Sequence, residues 1–404
     1  MKLGIVKRSG AALCMLALTT AALSGCWDRH ELNDLAIAVG IGFDEDKGNQ
    51  VRVTVQLVNP GEVASKRGGA TYATPVTTLS ISEATTLEAL KSLTTISPRK
   101  ISPSHLRVLV IGEALARKGI QTVLDGISRN HEFRSDFYLI VAKGTDAKQV
   151  LSILTSLEKI PANKLFQSLA MSEKTWAPTV TMQLDMLSSD LSNSSKDTVL
   201  TGIQVRGDQA TGSTKKNVSR SEPYARLKYS GLALFKGDKL VDWMSEEESK
   251  GYNYIMDKVH TTAGHVECPQ GGTVGRDVVR TKAKIKGKVI NGVPKITVDL
   301  FLEEDISEST CSIDLTKPEI LEQLERDGEK KLREIMTAAI RKAQKNKADI
   351  FGFGNAIEDT DPKAWLRLKP DWDQYFADLD VTVRPTLEIR RLGTTTNPIQ
   401  IRSE

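Results

Sequence analysis

Cys26 is the residue whose surroundings most clearly indicate chemistry. It ends the sequence Leu23-Ser24-Gly25-Cys26, which follows an uncharged apolar run at 11–23 and a basic segment at 2–8. A basic start, a short apolar run and small residues before a cysteine are typical of a lipoprotein signal peptide. The apolar run is too short to remain as a membrane span. We therefore expect cleavage between Gly25 and Cys26 and lipidation of the cysteine.

The expected modification is an S-diacylglycerol on Cys26, with N-acylation, for example by palmitate, left open. Small side chains at Ser24 and Gly25 let an extended backbone pass the signal peptidase. Each buried CH2 contributes about 0.8 kcal/mol, so two acyl chains hold a protein stably where one holds it marginally. An ordinary secretory signal with a coincidental cysteine is the alternative, and it explains the position and spacing less well.

A second group of residues with ligand chemistry lies at 260–268. His260, His265 and Cys268 could offer two imidazoles and a thiolate to zinc, with Glu267 between them. No further ligands with a recognised spacing follow, and two histidines in a strand-like stretch are usually surface or hydrogen-bonded residues. We predict no metal site there.

Sequence motifs that are typical of enzymes are incomplete in this chain. Gly40-Ile41-Gly42 lacks the remaining glycine and the helix start of a dinucleotide site, and the serines show no nucleophile elbow. We predict no catalytic residue, no cofactor and a protein that is not an enzyme.

Cys268 and Cys311 are the cysteines that remain once Cys14 leaves with the signal peptide and Cys26 is acylated. In an exported protein two such cysteines can form one disulfide. Two buried thiols explain them equally well, so both interpretations stay open on the sequence.

The composition is that of an ordinary globular protein. The chain has 404 residues, of which 40% are hydrophobic and 26% charged, enough for roughly two or three domains with their own cores. No later stretch has the apolar length of a membrane helix. The formal net charge of +4 is mild and dispersed, so nucleic acid is not an expected partner.

The first half of the chain alternates strands with helices. Hydrophobic periodicity predicts strands at 36–43, 51–58, 77–82, 105–111, 137–142 and 199–206, and helices at 83–95, 113–129, 147–154, 163–172 and 180–191. This order favours a sheet covered by helices. The stretch 207–221, rich in Gly, Ser, Thr and Lys, is predicted to be a flexible loop.

The second half contains a hairpin whose register can be predicted. Asn291-Gly292 is a strong signal for a two-residue turn, and pairing outward from it sets Gly287 opposite Ile296, Ile285 opposite Val298 and Ala283 opposite Leu300. The opposite face carries Lys282, Lys284, Lys286 and Lys288, which we name the lysine row. We interpret this row as a solvated sheet face rather than a surface for anionic lipid.

Helices and strands after the first loop complete the prediction. Capping boxes are predicted at 245–248 and 316–319, the second starting a long amphipathic helix that runs to about 345. Strands are predicted at 229–235, 240–243, 310–315 and 380–390. Trp365 and Trp372 are predicted to be core residues rather than a docking surface.

The resulting fold class is α+β and multidomain, with mixed sheets covered by helices and a C-terminal antiparallel sheet packed by one long helix. We predict a signal peptide at 1–25, an N-terminal α/β region at 26–200 with two subdomains, and a C-terminal α+β domain at 201–404.

Short motifs along the whole chain resemble the Ger(x)C family, the C-subunit lipoproteins of nutrient germinant receptors in endospore-forming bacteria. They are Gly25-Cys26-Trp27-Asp28-Arg29, Glu31-Leu32-Asn33-Asp34, Gly40-Ile41-Gly42, Asn291-Gly292-Val293-Pro294-Lys295-Ile296, Asp349-Ile350-Phe351-Gly352-Phe353-Gly354, Trp365, Trp372 and Ile389-Arg390-Arg391-Leu392-Gly393. The acidic stretch at 357–361 departs from the family, which often has basic residues there.

The resemblance implies a non-enzymatic spore germination subunit that acts with two integral membrane subunits. It would be attached through lipidated Cys26 to the phospholipid of the cell membrane or spore inner membrane, on the outer face. The alternative is a solute-binding lipoprotein that delivers a small ligand to a transporter. That class should show two α/β lobes with a hinge, which the late hairpin and long helix fit poorly.

Overall fold

The computed structural model describes residues 34–64, 73–268, 271–311 and 313–391, together with Gly10 and Met15. The predicted cleavage and lipidation site at Gly25 and Cys26 lies outside the described residues. Within the described ranges, every helix is too short or too polar to cross a membrane.

The strands form two sheets. In chain order they are β1 (Leu35–Glu45), β2 (Val51–Val58), β3 (Val76–Glu83), β4 (Lys100–Ser102), β5 (Val108–Gly112), β6 (Tyr138–Ala142), β7 (Val199–Gly207), β8 (Ala225–Lys236), β9 (Lys239–Trp243), β10 (Thr262–Glu267), β11 (Thr273–Ile290), β12 (Val293–Ser309) and β13 (Asp380–Arg391).

The α-helices lie between these strands. They are α1 (Pro60–Ala64), α2 (Thr86–Ser92), α3 (Glu113–Lys118), α4 (Gln121–Ser128), α5 (Ala147–Ser152), α6 (Pro161–Thr175), α7 (Leu184–Ser192), α8 (Gln209–Gly212), α9 (Glu246–Ile255), α10 (Pro318–Lys345), α11 (Phe353–Thr360), α12 (Pro362–Leu368) and α13 (Trp372–Ala377). Short 3-10 turns lie at Lys47–Asn49, Leu93–Thr95, Lys215–Asn217 and Lys369–Asp371.

The first sheet has the order β3-β2-β1-β5-β6-β7-β8-β9, with β4 paired to β1, nine strands within the described residues. Helices cover both of its faces. One face packs against α2, α3, α4 and α7, and the other packs against α5 and α6. A Cβ on Gly40 would lie 2.8 Å from Leu151 and one on Gly42 2.9 Å from Ala147, so these glycines let the second helical layer approach β1.

The first sheet does not end at the domain boundary predicted at 200/201. That boundary falls inside β7, and β8 and β9 continue the same sheet to Trp243. The reason is that β7 pairs with β6 on one side and with β8 on the other. Residues 201–243 therefore complete the N-terminal sheet.

The second sheet has the order β10-β11-β12-β13, and it confirms the hairpin register. Gly287 lies opposite Ile296, Ile285 opposite Val298 and Ala283 opposite Leu300. The turn residues Asn291 and Gly292 both have positive φ, as a two-residue turn of this kind requires. The lysine row is exposed.

Helices cover one face of the second sheet. The long helix α10 packs there together with α9 and α11–α13, and Leu232 and Leu234 of β8 belong to the same apolar cluster as Val298 and Leu300 of β12. The expected α+β fold class is thus confirmed. One detail differs, because β13 pairs parallel with β12, which makes the sheet mixed rather than wholly antiparallel.

Three local predictions were wrong. No strand covers 310, 311 or 313–315, since β12 itself continues to Ser309. The capping box at 316–319 does not form, because Asp314 accepts from the amide and hydroxyl of Thr316 and Lys317 takes the N-cap position. The predicted helix at 113–129 is two helices, broken at Gly119 with φ 136°.

The stretch 207–221 is also more ordered than predicted. Asn217 is buried, and its amide group donates to the carbonyl oxygens of Leu154 and Ala225 and accepts from the Ala225 amide. The capping box at 245–248 is present as expected, with Ser245 and Glu248 bonded reciprocally.

Candidate functional sites: buried charges and paired cysteines

A buried ion pair lies where strand alternation places apolar residues. Glu304 shares the core-facing side of β12 with Leu300 and Leu302, and Arg276 reaches it from β11 with Nη1 2.9 Å from Oε2. The two side chains are only 4% and 8% exposed. Burial raises the pKa of Glu304, and the Arg276 guanidinium opposes that rise. Each charge therefore depends on the other for its place in the core.

The long helix accommodates this pair through Gly328. A Cβ at that position would lie 2.2 Å from Nη1 of Arg276 and 2.6 Å from Cδ1 of Leu387. Glycine costs helix stability, and sequence alone marks Gly328 as a weak point. In the structure it provides the space that the guanidinium occupies.

A cavity of about 320 Å³ opens between α9, α10 and the second sheet, with the ion pair in its wall. Other charged groups around it contact one another. Lys331 Nζ lies 3.0 Å from Glu247, Lys250 Nζ lies 3.7 Å from the centre of the Trp176 ring, and Trp176 donates to Glu246 at 2.9 Å. The cavity is therefore lined by charges that are already matched within the chain.

Cys268 and the two histidines of 260–268 are arranged differently from a zinc site. Cys268 is joined to Cys311 in a disulfide with Cα atoms 6.3 Å apart. His260 and His265 are exposed, the latter on the edge strand β10. In the part of the chain that the structure describes, no group of three or more His, Cys, Asp or Glu side chains could hold a metal ion.

Asp349 organises the aromatic-glycine turn. Its carboxylate accepts from the amides of Phe353 and Gly354, which start α11, and from Nε1 of Trp372, at 3.0, 2.8 and 3.0 Å. Burial raises its pKa to about 6. Trp365 and Trp372 pack edge to face with ring centres 5.0 Å apart and are 1% and 4% exposed, so both are core residues as predicted.

Asp44 plays the same part in the first sheet. It accepts from the amides of Ala147 and Lys148 at the start of α5, at 2.7 and 3.1 Å. Burial raises its pKa to about 6. A Cβ on Gly112 would lie 2.0 Å from Oδ1 of Asp44, so this glycine makes room for the carboxylate.

Sequence reasoning missed these buried charges. Glu304 had a signal, because extending the predicted hairpin register from Leu300 places it on the core face. Arg276 was harder to predict, because a bulge between Val278 and Arg280 reverses the alternation of β11 and changes the face on which Arg276 lies. Asp44 lies just after the strand predicted at 36–43, and its partner helix lies about a hundred residues further along the chain.

Comparisons with known proteins cover both halves of the chain. Residues 28–205 match the family described as "Spore germination protein N-terminal domain". Residues 230–393 match the family described as "Spore germination B3/ GerAC like, C-terminal".

Full-length relatives agree with this. "Spore germination protein KC" of Bacillus subtilis (strain 168) is 32% identical over 404 residues, covering 98% of each chain. "Spore germination protein B3" of the same strain is 26% identical and covers 92% of this chain and 95% of its own. The solved structure described as "Crystal Structure of the GerBC protein" has a TM-score of 0.57 at 21% identity, covering 90% of this chain and 99% of that one, a likeness of fold. The chain belongs to the Ger(x)C family of spore germination proteins.

Proposed function

We propose that this chain is the lipoprotein subunit of a spore nutrient germinant receptor, acting with two integral membrane subunits to trigger germination. The observation that carries the proposal is the position of the predicted lipidation site. Cys26 stands two residues before the region that matches the spore germination N-terminal family begins at 28. The predicted lipid anchor is thus followed directly by the two regions that match the family.

The anchor supplies the mechanism. Two acyl chains on Cys26 hold the protein at the membrane. Confinement to one membrane surface converts its association with membrane subunits into an encounter at high effective concentration. The lipidated protein would therefore lie on the outer face of the spore inner membrane, next to its partners.

A non-enzymatic role is consistent with the chemistry of the described residues. Arg276 and Glu304 neutralise each other, and Asp44 and Asp349 are engaged as helix caps. The shared apolar cluster that joins β8 to β12 favours this role over a solute-binding protein with two hinged lobes.

The test replaces the anchor. Cys26→Ala should shift the protein from the spore membrane fraction to the soluble fraction and slow nutrient-triggered germination. Ser24→Ala is the matched control, because alanine keeps the small side chain that the signal peptidase accepts. Membrane retention and normal germination of Cys26→Ala spores would contradict the anchor.

Co-purification tests the partners separately. The wild-type protein, extracted from spore membranes in mild detergent, should bring two integral membrane proteins with it. A lipidated protein that copurifies with neither would contradict the receptor role while leaving the anchor intact.

A further inference from the structure

The chain enters the first sheet beside β4. Strand β1 begins at Leu35 and pairs with β4 in parallel, with Leu35 opposite Lys100. Because the strands are parallel, the residues that precede each of them lie at the same edge of the sheet, which is the edge where both strands begin. Asp34, which continues towards Cys26, is therefore at the same edge as Arg99.

The surface at this edge is both apolar and basic. We name Leu87, Lys91, Ile96, Arg99 and Lys100 the anchor-side patch. Leu87 and Ile96 are 53% and 50% exposed although both are large aliphatic side chains. Exposed aliphatic and basic side chains on one surface are the composition that binds anionic bilayers.

Part of the patch lines a groove of about 690 Å³ between α2 and β4, where Leu87, Lys91 and Lys100 lie around Ile101. Lys100 pairs with Glu132 at 2.6 Å. Within the described residues, Lys91 and Arg99 form no ion pair. Glu88, three residues before Lys91 in α2, accepts from the Thr85 hydroxyl at 3.0 Å. Two cations are thus available to an anionic partner.

The tether is short compared with the protein. Nine residue steps separate Cys26 from Leu35, which span at most about 30 Å when fully extended. A folded chain of this length has a radius of gyration of about 21 Å and is therefore more than about 50 Å across. A lipid at Cys26 keeps the edge that contains Leu35 near the membrane and the far side away from it.

The lysine row is a second basic surface, and it lies on the other sheet. Three strands, β5, β6 and β7, separate β1 from β8, whose Leu232 and Leu234 belong to the apolar cluster of the second sheet. Four strand spacings of about 4.8 Å amount to about 19 Å before the second sheet begins. In addition, Lys282 pairs with Asp257 and Lys286 with Asp299, which leaves Lys284 and Lys288 as its unpaired members among the described residues.

We propose that the anchor-side patch lies against the membrane, with Lys91 and Arg99 contacting anionic phospholipid headgroups and Leu87 and Ile96 entering the interface. This inference depends on the proposed lipid anchor at Cys26. It specifies which face of the body meets the bilayer and leaves the second sheet directed away from it.

The test measures backbone amide hydrogen exchange in the full-length lipidated protein, reconstituted into vesicles. Vesicles of phosphatidylglycerol and phosphatidylcholine should slow exchange at 86–103, and vesicles of phosphatidylcholine alone should slow it much less. Lys91→Glu with Arg99→Glu should remove the slowing, because two basic side chains change the contact equilibrium about 30-fold. Lys284→Glu with Lys288→Glu is the matched control, with the same charge change on the lysine row, and should keep it.

The outcomes separate this inference from the anchor. A protein that stays in the vesicles, yet shows no slowing at 86–103 or shows it on the lysine row instead, overturns the inference and leaves the anchor standing. Slowing that needs the receptor's membrane subunits, rather than anionic lipid, assigns the patch to a protein partner and also overturns it. An acylated protein that leaves the vesicles overturns both proposals.

Discussion

The two sheets of this protein differ in how many of their faces are covered. In β5 of the first sheet, neighbouring residues Leu109 and Val110 are both fully buried, because helices pack on both faces. In β12 of the second sheet, Val298 is buried and its neighbour Thr297 is partly exposed. A sheet covered twice uses every residue as core, whereas a sheet covered once uses every second residue.

The largest expected effect tests this difference directly. Leu109→Asp and Val110→Asp should each abolish folding, because either change buries an unpaired carboxylate. Val298→Asp should do the same, but Thr297→Asp should change stability by less than about 0.5 kcal/mol, since it faces Lys286 across the hairpin. Soluble yield and urea denaturation followed by circular dichroism measure the four variants. Tolerance of one β5 variant would show that one face of the first sheet is open.

The next effect concerns the charge that the second sheet buries. Glu304→Ala should lower the free energy of unfolding by about 3–5 kcal/mol, because it leaves Arg276 unpaired in the core. Arg276→Met combined with Glu304→Leu should recover most of the loss. The exposed pair Lys286 and Asp299 is the control, and its removal should cost at most about 1 kcal/mol. Equal losses of unfolding free energy on removing the two pairs, measured by urea denaturation, would contradict the burial of Arg276 and Glu304.

The disulfide should contribute slightly less. Cys268 and Cys311 are 43 residues apart, and closing a loop of this size stabilises a protein by about 2–4 kcal/mol. Cys268→Ser with Cys311→Ser should therefore lower the midpoint of urea unfolding. A reducing agent should produce the same shift in the wild type and none in the double variant. Insensitivity of the wild type to reduction would favour two free thiols.

The smallest expected effect, counted per pH unit, comes from two carboxylates, one in each half of the chain. Asp44 and Asp349 each cap a helix from a buried position, and burial raises the pKa of each to about 6. The unfolded values are lower, near 3.8, so the folded state holds the additional protons between about pH 4 and 6. The stability from these protons is complete below the unfolded pKa and is lost as pH rises through 6.

Asp349→Asn should accordingly flatten the dependence of unfolding free energy on pH between 4 and 6, by up to about 1.4 kcal/mol per pH unit. Asp44→Asn should flatten it in the same way. The pKa of Asp46 is lowered to about 2, mainly by the Ser82 hydroxyl, so Asp46 makes stability rise with pH instead of fall. Each slope is therefore measured as the difference between variant and wild type, in which the contribution of Asp46 cancels. An unchanged slope for Asp349→Asn would show that its carboxylate ionises near its ordinary pKa.

The same difference between the sheets decides what sequence could predict. The hairpin register was predictable to the residue because one covered face imposes a strict alternation from Ala283 to Val298. The bulge after Val278 was not, since it reverses the alternation and turns Arg276 inward. In the first sheet most strands were predicted, but not their order. Continuous apolar runs do not indicate a face or a neighbour, and β1 pairs in parallel with β5 more than sixty residues later.

Gly328 has a consequence for how this sequence can diverge. Its place in α10 is set by a guanidinium from β11 and by the carboxylate that neutralises it on β12. A larger residue at 328 becomes acceptable once position 276 carries a smaller uncharged side chain and the Leu387 side chain shifts aside. Position 304 then no longer needs an acid. Among homologous proteins, positions 276, 304 and 328 should therefore be inherited as one set, although they are far apart in the chain.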